Sequence, residues 1–217
     1  MNVLVVAATK FEIPQVLQFS KKQPAVDVLI TGIGAVATTY AVMKAVANKK
    51  YDCLLQAGIG GCFSRAIPLG SAVVVGTDCF GDLGVFEQTQ FRSVFDMGLT
   101  PPDEKPFRKG WLQNPHKSLL KETGLAVVKG VTVNEITTNK KIKDYLSGTL
   151  EAVVESMEGA AFHYVALKEK IPFLQLRTLS NYVGERDKAK WKLKESVNVL
   201  NTTVEQLMLR LTKKIHE

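Results

Sequence analysis

The sequence has no long hydrophobic run, few cysteines and no low-complexity segment. No apolar stretch approaches the roughly 20 residues that a membrane helix needs, and positions 1–8 lack the basic region that begins a signal peptide. Cys53, Cys62 and Cys79 are odd in number and lack metal-ligand spacing, which predicts reduced, packed thiols. We therefore expect a cytoplasmic protein with no membrane partner and no metal.

Composition and charge indicate an ordinary globular chain. Of the 217 residues, 46% are hydrophobic and 23% are charged, as in typical soluble domains. A chain of this length buries roughly 70% of its unfolded surface, so we expect residues 1–217 to form one domain. The net charge of +7 is dispersed, and clusters such as 213–214 lack interleaved aromatic residues, which favours solvated helix faces over a nucleic-acid partner.

Predicted strands and helices alternate along the chain. Positions 2–8 form a continuous Val and Leu run, typical of a strand buried on both faces, and the following helix tolerates Pro14 in its first turn. The alternation predicts an α/β three-layer sandwich with a central, largely parallel mixed sheet. The other predicted strands are 26–31, 51–56, 71–77, 125–133, 150–157 and 172–180, and the other helices are 35–48, 115–123, 139–147, 159–170 and 192–214.

The segment 78–113 shows no regular period and is rich in Phe, Pro and Gly. Irregular segments longer than about 12–15 residues in compact domains are usually functional or mobile. We therefore expect loops around 78–113 that cover a substrate.

Candidate chemical groups lie where the predicted strands end, and parallel strands present their ligand sites at that edge of a sheet. Glu12 follows the first strand near a helix N-terminus, where its charge is stabilised. Glycine-rich turns follow the second and third strands, and the third-strand turn contains Gly58, Ile59 and Gly60. Their backbone amides can approach an anion or a sugar oxygen. Their spacing differs from the dinucleotide fingerprint, so we expect no nicotinamide site.

The most informative motif is Val-Glu-Ser-Met-Glu-Gly-Ala-Ala at 154–161. It delivers Met157 and Glu158 to a helix start, and the small residues that follow leave room for a ligand. A carboxylate there can bind two vicinal ribose hydroxyls and stabilise the charge that a sugar develops when its glycosidic bond breaks. The alternative is a helix-start acid that follows a core methionine.

This motif closely resembles the Met-Glu signature of the nucleoside phosphorylase and nucleosidase family, in which the Met packs on the sugar and the Glu binds its hydroxyls. The resemblance implies that Glu12 activates water and that backbone near Ile136 and Thr137 contacts the base. A Ser often found in the family's second glycine turn is replaced here by Gly58, so its hydroxyl contact is absent.

Asn181 bears on the identity of the base. Family members that release adenine resemble the stretch 177–181 but carry Asp where this chain has Asn181. Beside a 6-oxopurine, an Asn amide donates to O6 and accepts from a protonated N7, and each orphaned buried group costs about 1–3 kcal/mol. Asn181 therefore favours hypoxanthine or guanine, although a turn-forming Asn after a strand is the alternative. Arg177 is expected to be a structural ion-pair partner.

The combination of Glu12, Met157, Glu158 and Asn181 is similar to the family branch that hydrolyses futalosine in menaquinone biosynthesis and releases hypoxanthine. It implies an N-glycosyl hydrolase without cofactor, a small-molecule nucleoside substrate and a homodimer or higher homo-oligomer. A nucleosidase for methylthioadenosine or adenosylhomocysteine, a purine nucleoside phosphorylase and a non-catalytic nucleoside-binding protein remain alternatives. Basic residues in the 78–113 loops are candidates to hold the acidic substituent of futalosine: Arg92, Lys105, Arg108 and Lys109.

Overall fold

The computed structural model describes residues 1–87 and 90–213. Positions 88–89 of the predicted loops and the predicted helix end at 214 lie outside the described residues. The strands are β1 (Val3–Ala7), β2 (Val26–Ile30), β3 (Cys53–Cys62), β4 (Ala72–Asp78), β5 (Gly84–Glu87), β6 (Gln90–Ser93), β7 (Leu112–Gln113), β8 (Ala126–Thr132), β9 (Val154–Ser156) and β10 (Phe173–Tyr182). The helices are α1 (Pro14–Ser20), α2 (Ala35–Asn48), α3 (Lys117–Glu122), α4 (Lys140–Asp144), α5 (Gly159–Lys168) and α6 (Leu193–Lys213), with a π-helical turn at Tyr145–Thr149 and a 3₁₀ turn at Lys188–Lys190.

The central sheet is mixed and partly closed on itself. β3 pairs in parallel with β1 and β10, and β1 pairs in parallel with β2. β10 also pairs antiparallel with β4, which leads through parallel pairs to β8 and β9. β9 returns antiparallel to β3. The predicted α/β fold with a mixed sheet is confirmed, but five strands form a barrel-like ring, so the plain three-layer sandwich is a wrong description.

Glycines in β3 explain this closure. The sequence predicted that the strand would end at 56 and be followed by a turn, whereas the strand continues to Cys62. A Cβ on Gly60 would lie 2.8 Å from Val154 Cγ1 and 3.0 Å from the Glu155 backbone oxygen, both on β9. Because this part of β3 carries almost no side chains, its neighbours can approach closely enough to close the ring.

Apolar side chains cover both faces of the parallel part of the sheet. On one face, residues of β1 and β3 pack against α1 and α6, whose predicted apolar stripe is buried as expected. On the other face, Leu54 and Phe173 pack against Phe162 of α5. The cysteines are free and buried, as predicted. Among the described residues, no helix is long and apolar enough to cross a membrane.

Asn201 of α6 connects that helix to the segment that carries Glu12. Its Oδ1 accepts from the backbone N–H groups of Gln15 and Val16, at 3.0 and 3.1 Å. Its Nδ2 donates to the backbone oxygens of Glu12 at 2.8 Å and Val197 at 2.7 Å. The first turn of α1 has no cap from its own preceding side chain, so α6 satisfies the orphan amides that begin the helix.

The segment 78–113 is more regular than predicted. β5 and β6 form an antiparallel hairpin, and β7 pairs with the end of β4. That these residues cover a substrate stays a prediction.

Candidate active site

The predicted chemical groups meet in one pocket of about 270 Å³ at the ends of β1, β3, β9 and β10. A larger cavity of about 330 Å³ between α3 and α6 is lined mainly by leucines, and Glu122 is the single carboxylate among its described lining residues. Gly58 and Thr137 are not among the described lining residues; Thr137 donates its N–H to Glu155 Oε1, and Gly58 lies beside Arg177 and Glu12. The predicted residues that line the pocket are Glu12, Ile59, Gly60, Ile136, Met157, Glu158 and Asn181.

Glu12 is held in one orientation by three hydrogen bonds. Its Oε2 accepts from the backbone N–H and the hydroxyl of Thr9, both at 3.0 Å, and its Oε1 accepts from the Ile59 N–H at 3.1 Å. Burial raises the pKa of Glu12, while the charge of Arg177 and these hydrogen bonds lower it. A fixed carboxylate with a raised pKa is suited to take a proton from water.

Glu158 lies at the start of α5 and faces the same pocket. Its Oε1 accepts from the Gly34 N–H at 3.1 Å, and its Oε2 lies 3.6 Å from Arg177 Nη1. Gly34 has a φ of 93°, a conformation that side chains other than glycine rarely adopt. The first glycine turn therefore does present an amide to an anion, but that anion is the protein's own carboxylate.

Arg177 lies between the two acids and is only 2% exposed. A Cβ on Gly58 would overlap Arg177 Nη1 and lie 3.1 Å from Glu12 Oε1, so the guanidinium occupies the space of the missing side chain. The predicted ion pair is confirmed. Within the described ranges, however, Arg177 Nε and Nη2 have no hydrogen-bond partner. No local pattern in the sequence indicates this placement of a buried cation beside two carboxylates.

Asn181 reaches the pocket from the end of β10. The pairing of β10 with β3 shifts register between Leu179 and Asn181, and such an irregularity re-aims side chains. Asn181 Oδ1 accepts from the Ser180 hydroxyl at 2.8 Å, and its Nδ2 donates to the Tyr182 backbone oxygen at 3.3 Å. One N–H and one lone pair of the amide remain for a ligand.

Several lining residues were not assigned to the site from the sequence. Thr9, Glu155 and Arg186 line the pocket together with Trp191, and the Arg186 guanidinium lies 5.7 Å from the Trp191 ring centre. None of the described residues of 78–113 lines the pocket. The available signal for Thr9 was its position three residues before Glu12, where its amide and hydroxyl can reach the acid.

No group of three or more His, Cys, Asp or Glu side chains in the described parts of the chain could hold a metal ion.

Comparisons with known proteins identify the family of the chain. The phosphorylase superfamily matches residues 7–214. Futalosine hydrolase of Streptomyces coelicolor is 32% identical over 191 residues, which cover 83% of this chain and 77% of that protein. The enzyme of the same name from Thermus thermophilus is 30% identical over 182 residues, with 83% and 80% covered.

Solved structures share the fold at low identity. Futalosine hydrolase of Helicobacter pylori has a TM-score of 0.79 at 16% identity, covering 96% of this chain and 97% of that one. A methylthioadenosine/adenosylhomocysteine nucleosidase of Streptococcus pneumoniae, in complex with 8-aminoadenine, has a TM-score of 0.80 at 17% identity, covering 96% and 99%. The chain belongs to the phosphorylase superfamily, as its motifs predicted.

Proposed function

We propose that this protein hydrolyses the N-glycosidic bond of futalosine, releasing hypoxanthine and dehypoxanthine futalosine, with residues 1–217 as one catalytic domain. The curated relatives named futalosine hydrolase confirm the resemblance seen in the sequence. The observation that carries the proposal is that Glu12, Glu158 and Asn181 line one pocket, with the buried Arg177 beside the two acids and paired with Glu158. The enzyme is an N-glycosyl hydrolase of menaquinone biosynthesis.

In the proposed reaction, Glu158 accepts hydrogen bonds from the ribose hydroxyls while Met157 packs on the sugar. As the bond between C1′ and N9 breaks, the nearby carboxylate stabilises the positive charge on the sugar. A water beside Glu12 gives its proton to Glu12 and forms the new bond to C1′. The base leaves with a proton from solvent on N7, and Asn181 accepts from that N7–H and donates to O6.

Phosphorolysis is the nearest alternative, and the charge of the pocket opposes it. Three carboxylates line the pocket, from Glu12, Glu155 and Glu158, and each would repel phosphate at short range. Arg177 is already paired with Glu158, and the guanidinium of Arg186, which does line the pocket, lies 5.7 Å from the Trp191 ring centre. Arg65 stacks on the Tyr182 ring at 4.9 Å and does not line the pocket.

An adenine-releasing nucleosidase is the second alternative, and Asn181 argues against it. Its amide matches the O6 and protonated N7 of hypoxanthine, whereas the 6-amino group of adenine would face the donor side of the amide. Release of adenine in preference to hypoxanthine would overturn the proposed substrate.

We infer that a second copy of the chain covers the exposed apolar face of α2. Val36, Tyr40 and Met43 lie on this face and are 83%, 67% and 39% exposed. Phe11 and Ile33, also exposed, continue it into the lining of the pocket. A partner seated there would border the substrate, so Val36→Asp is expected to give a monomer with reduced activity in light scattering and turnover assays. A wild-type protein that is monomeric at all concentrations would contradict this.

The decisive assay incubates the protein with futalosine, its 6-amino analogue, inosine and methylthioadenosine, with and without phosphate, and identifies the released base. We expect hypoxanthine from futalosine, independent of phosphate. Glu12→Gln should abolish turnover while futalosine still binds, because the amide cannot accept the proton of water. Glu151→Gln is the matched control, since Glu151 forms an exposed pair with Lys129; wild-type turnover by Glu12→Gln would refute the assigned role.

A further inference from the structure

Arg186 is the single basic side chain among the described residues that line the pocket, and the reaction described above does not use it. It lies just beyond the end of β10 and is exposed, so it belongs to the part of the pocket that opens to solvent. Arg177, by contrast, is buried and is not a lining residue. The lining therefore combines buried carboxylates with one cation at the mouth.

The segment that carries Arg186 is fastened to the end of β10. The Lys192 N–H donates to the Ser180 backbone oxygen at 2.8 Å, and Trp191 Nε1 donates to the Glu185 backbone oxygen at 3.1 Å. The Arg186 guanidinium lies 5.7 Å from the centre of the Trp191 ring, within the range of a cation–π contact. Because Trp191 also lines the pocket, this contact keeps the arginine beside it.

The acids next to Arg186 in the sequence are already engaged. Glu185 forms an ion pair with Lys190 at 3.0 Å. Asp187 lies 3.9 Å from the same lysine and accepts from the Ala189 N–H at 3.0 Å. No described residue forms an ion pair or a hydrogen bond with Arg186. Its guanidinium is therefore available to an anion of a ligand.

The charge of the pocket makes such a cation necessary for an acidic substrate. Glu12, Glu155 and Glu158 line the pocket, and each would repel a further negative charge at short range. An ordinary nucleoside is neutral, so this repulsion bears only on an acidic substituent. Futalosine carries such a group, a benzoate at the 5′ end of its sugar. The basic residues of 78–113 were candidates to hold it, but none of them is a lining residue.

We propose that Arg186 is a specificity-determining residue that pairs with the carboxylate of the 5′ substituent of the substrate. This inference rests on the proposed function and names the group that selects futalosine among nucleosides. A guanidinium presents paired N–H donors that match the two oxygens of a carboxylate. The half-buried Trp191 ring beside it offers an apolar surface to the phenyl part of the benzoate.

The position of this contact predicts its kinetic effect. The carboxylate of the substituent is remote from C1′, where the bond breaks, and its charge does not change during the reaction. Arg186 should therefore bind the ground state and the transition state equally. Such an interaction lowers KM and leaves kcat unchanged.

The experiment measures kcat and KM for futalosine and for its methyl ester, whose substituent is neutral, in wild type and Arg186→Gln. The wild-type KM should be at least about fivefold lower for futalosine than for the ester, the upper end for an exposed ion pair. In Arg186→Gln the KM for futalosine should rise at least to that of the ester, while the KM of the ester stays unchanged, because both changes remove the same contact. A folded Arg186→Gln protein with the wild-type ratio of the two KM values would overturn the proposal.

Arg65→Gln is the matched control. Arg65 also lies over an aromatic ring, 4.9 Å from the centre of Tyr182, but it does not line the pocket. Its replacement removes the same charge from the protein, so the ratio of the two KM values should keep its wild-type value. An equal change of the ratio in Arg65→Gln would indicate an effect of overall charge and would overturn the contact.

Calorimetric binding separates this inference from the proposed function. On the Glu12→Gln background, where the ligand is not consumed, the protein should bind futalosine at least about fivefold more tightly than the methyl ester. The further change Arg186→Gln should abolish this preference. If the wild type cleaves neither compound, the proposed function fails, and the binding comparison still decides the role of Arg186. A protein with the native Arg186 that binds both compounds equally, or binds neither, would overturn the proposal.

Discussion

Arg177 is buried beside the carboxylates of Glu12 and Glu158, and its removal tests how far the charges of the site depend on it. At an effective dielectric constant of about 20, unit charges 3.6 Å apart attract by about 5 kcal/mol. Loss of one partner of a buried pair costs about 3–5 kcal/mol. We expect Arg177→Met, which keeps the chain length but not the charge, to lower the free energy of unfolding by about this amount near pH 8.

The loss should depend on pH in a defined direction. Arg177 lowers the pKa of Glu12, which burial raises above 4.5. Without Arg177 the pKa of Glu12 rises further, so the folded variant holds a proton that the unfolded chain has released. Its stability therefore falls as pH rises from the unfolded pKa through the folded one. The variant should be less destabilised near pH 5 than near pH 8.

Urea unfolding of wild type, Arg177→Met and Arg92→Met near pH 5 and near pH 8 measures the loss of unfolding free energy and its dependence on pH. Arg92 pairs with Glu87 at 3.5 Å, nearly the same distance, but both side chains are at least half exposed. Exposed pairs contribute about 0–1 kcal/mol. A deficit for Arg177→Met that matched the Arg92→Met deficit, or that stayed constant with pH, would refute the electrostatic reasoning.

Three further perturbations test separate parts of the site and its support. Thr9→Val removes the hydroxyl donor to Glu12 Oε2, which lowers the pKa of Glu12. The acid limb of the pH profile of kcat/KM for futalosine should therefore move up by at most about one pH unit. An unchanged limb would show that the hydroxyl does not stabilise the Glu12 carboxylate. Asn181→Asp should raise kcat/KM for the 6-amino analogue relative to futalosine by at least about tenfold, and a fixed ratio would remove Asn181 from base selection. Burial lowers the pKa of His163 from 6.5 to about 4, so the unfolded chain takes up a proton that the folded protein refuses. Stability should therefore fall as pH drops from about 6.5 to 4 by at most about 1.4 kcal/mol per pH unit, and His163→Gln should lose that component of the slope in chemical denaturation.

The residues at strand ends were predictable because their positions follow from the alternation of elements. Glu12 and Glu158 each follow a run of apolar residues. Because ligands bind outside the carboxyl ends of the strands, residues at these positions meet in one pocket. The apolar stripe of α6 followed from helical periodicity in the same way. Local patterns of this kind require no knowledge of long-range pairing.

The closure of the sheet and the contacts that depend on it were not predictable. Glycines at 58, 60 and 61 indicate a turn as readily as a strand, and only the approach of β9 and β10 decides between them. Arg177 reaches the acids because Gly58 lies opposite it on the neighbouring strand, a register that no single stretch of sequence contains. Glu155 was part of the quoted motif, but its contact with Thr137 is apparent only once the two segments are brought together in the fold.

Through the four hydrogen bonds of Asn201, the docking of α6 can be followed at residues near the N-terminus of the chain. The backbone amides of Gln15 and Val16 are shielded by this one side chain, so their hydrogen-exchange rates report whether α6 is seated. A cleavage or fusion that loosens α6 should speed hydrogen exchange at these two amides. Because Asn201 also bonds to the Glu12 carbonyl, the same change should weaken the proposed activation of water by Glu12, although no side chain of the pocket is altered.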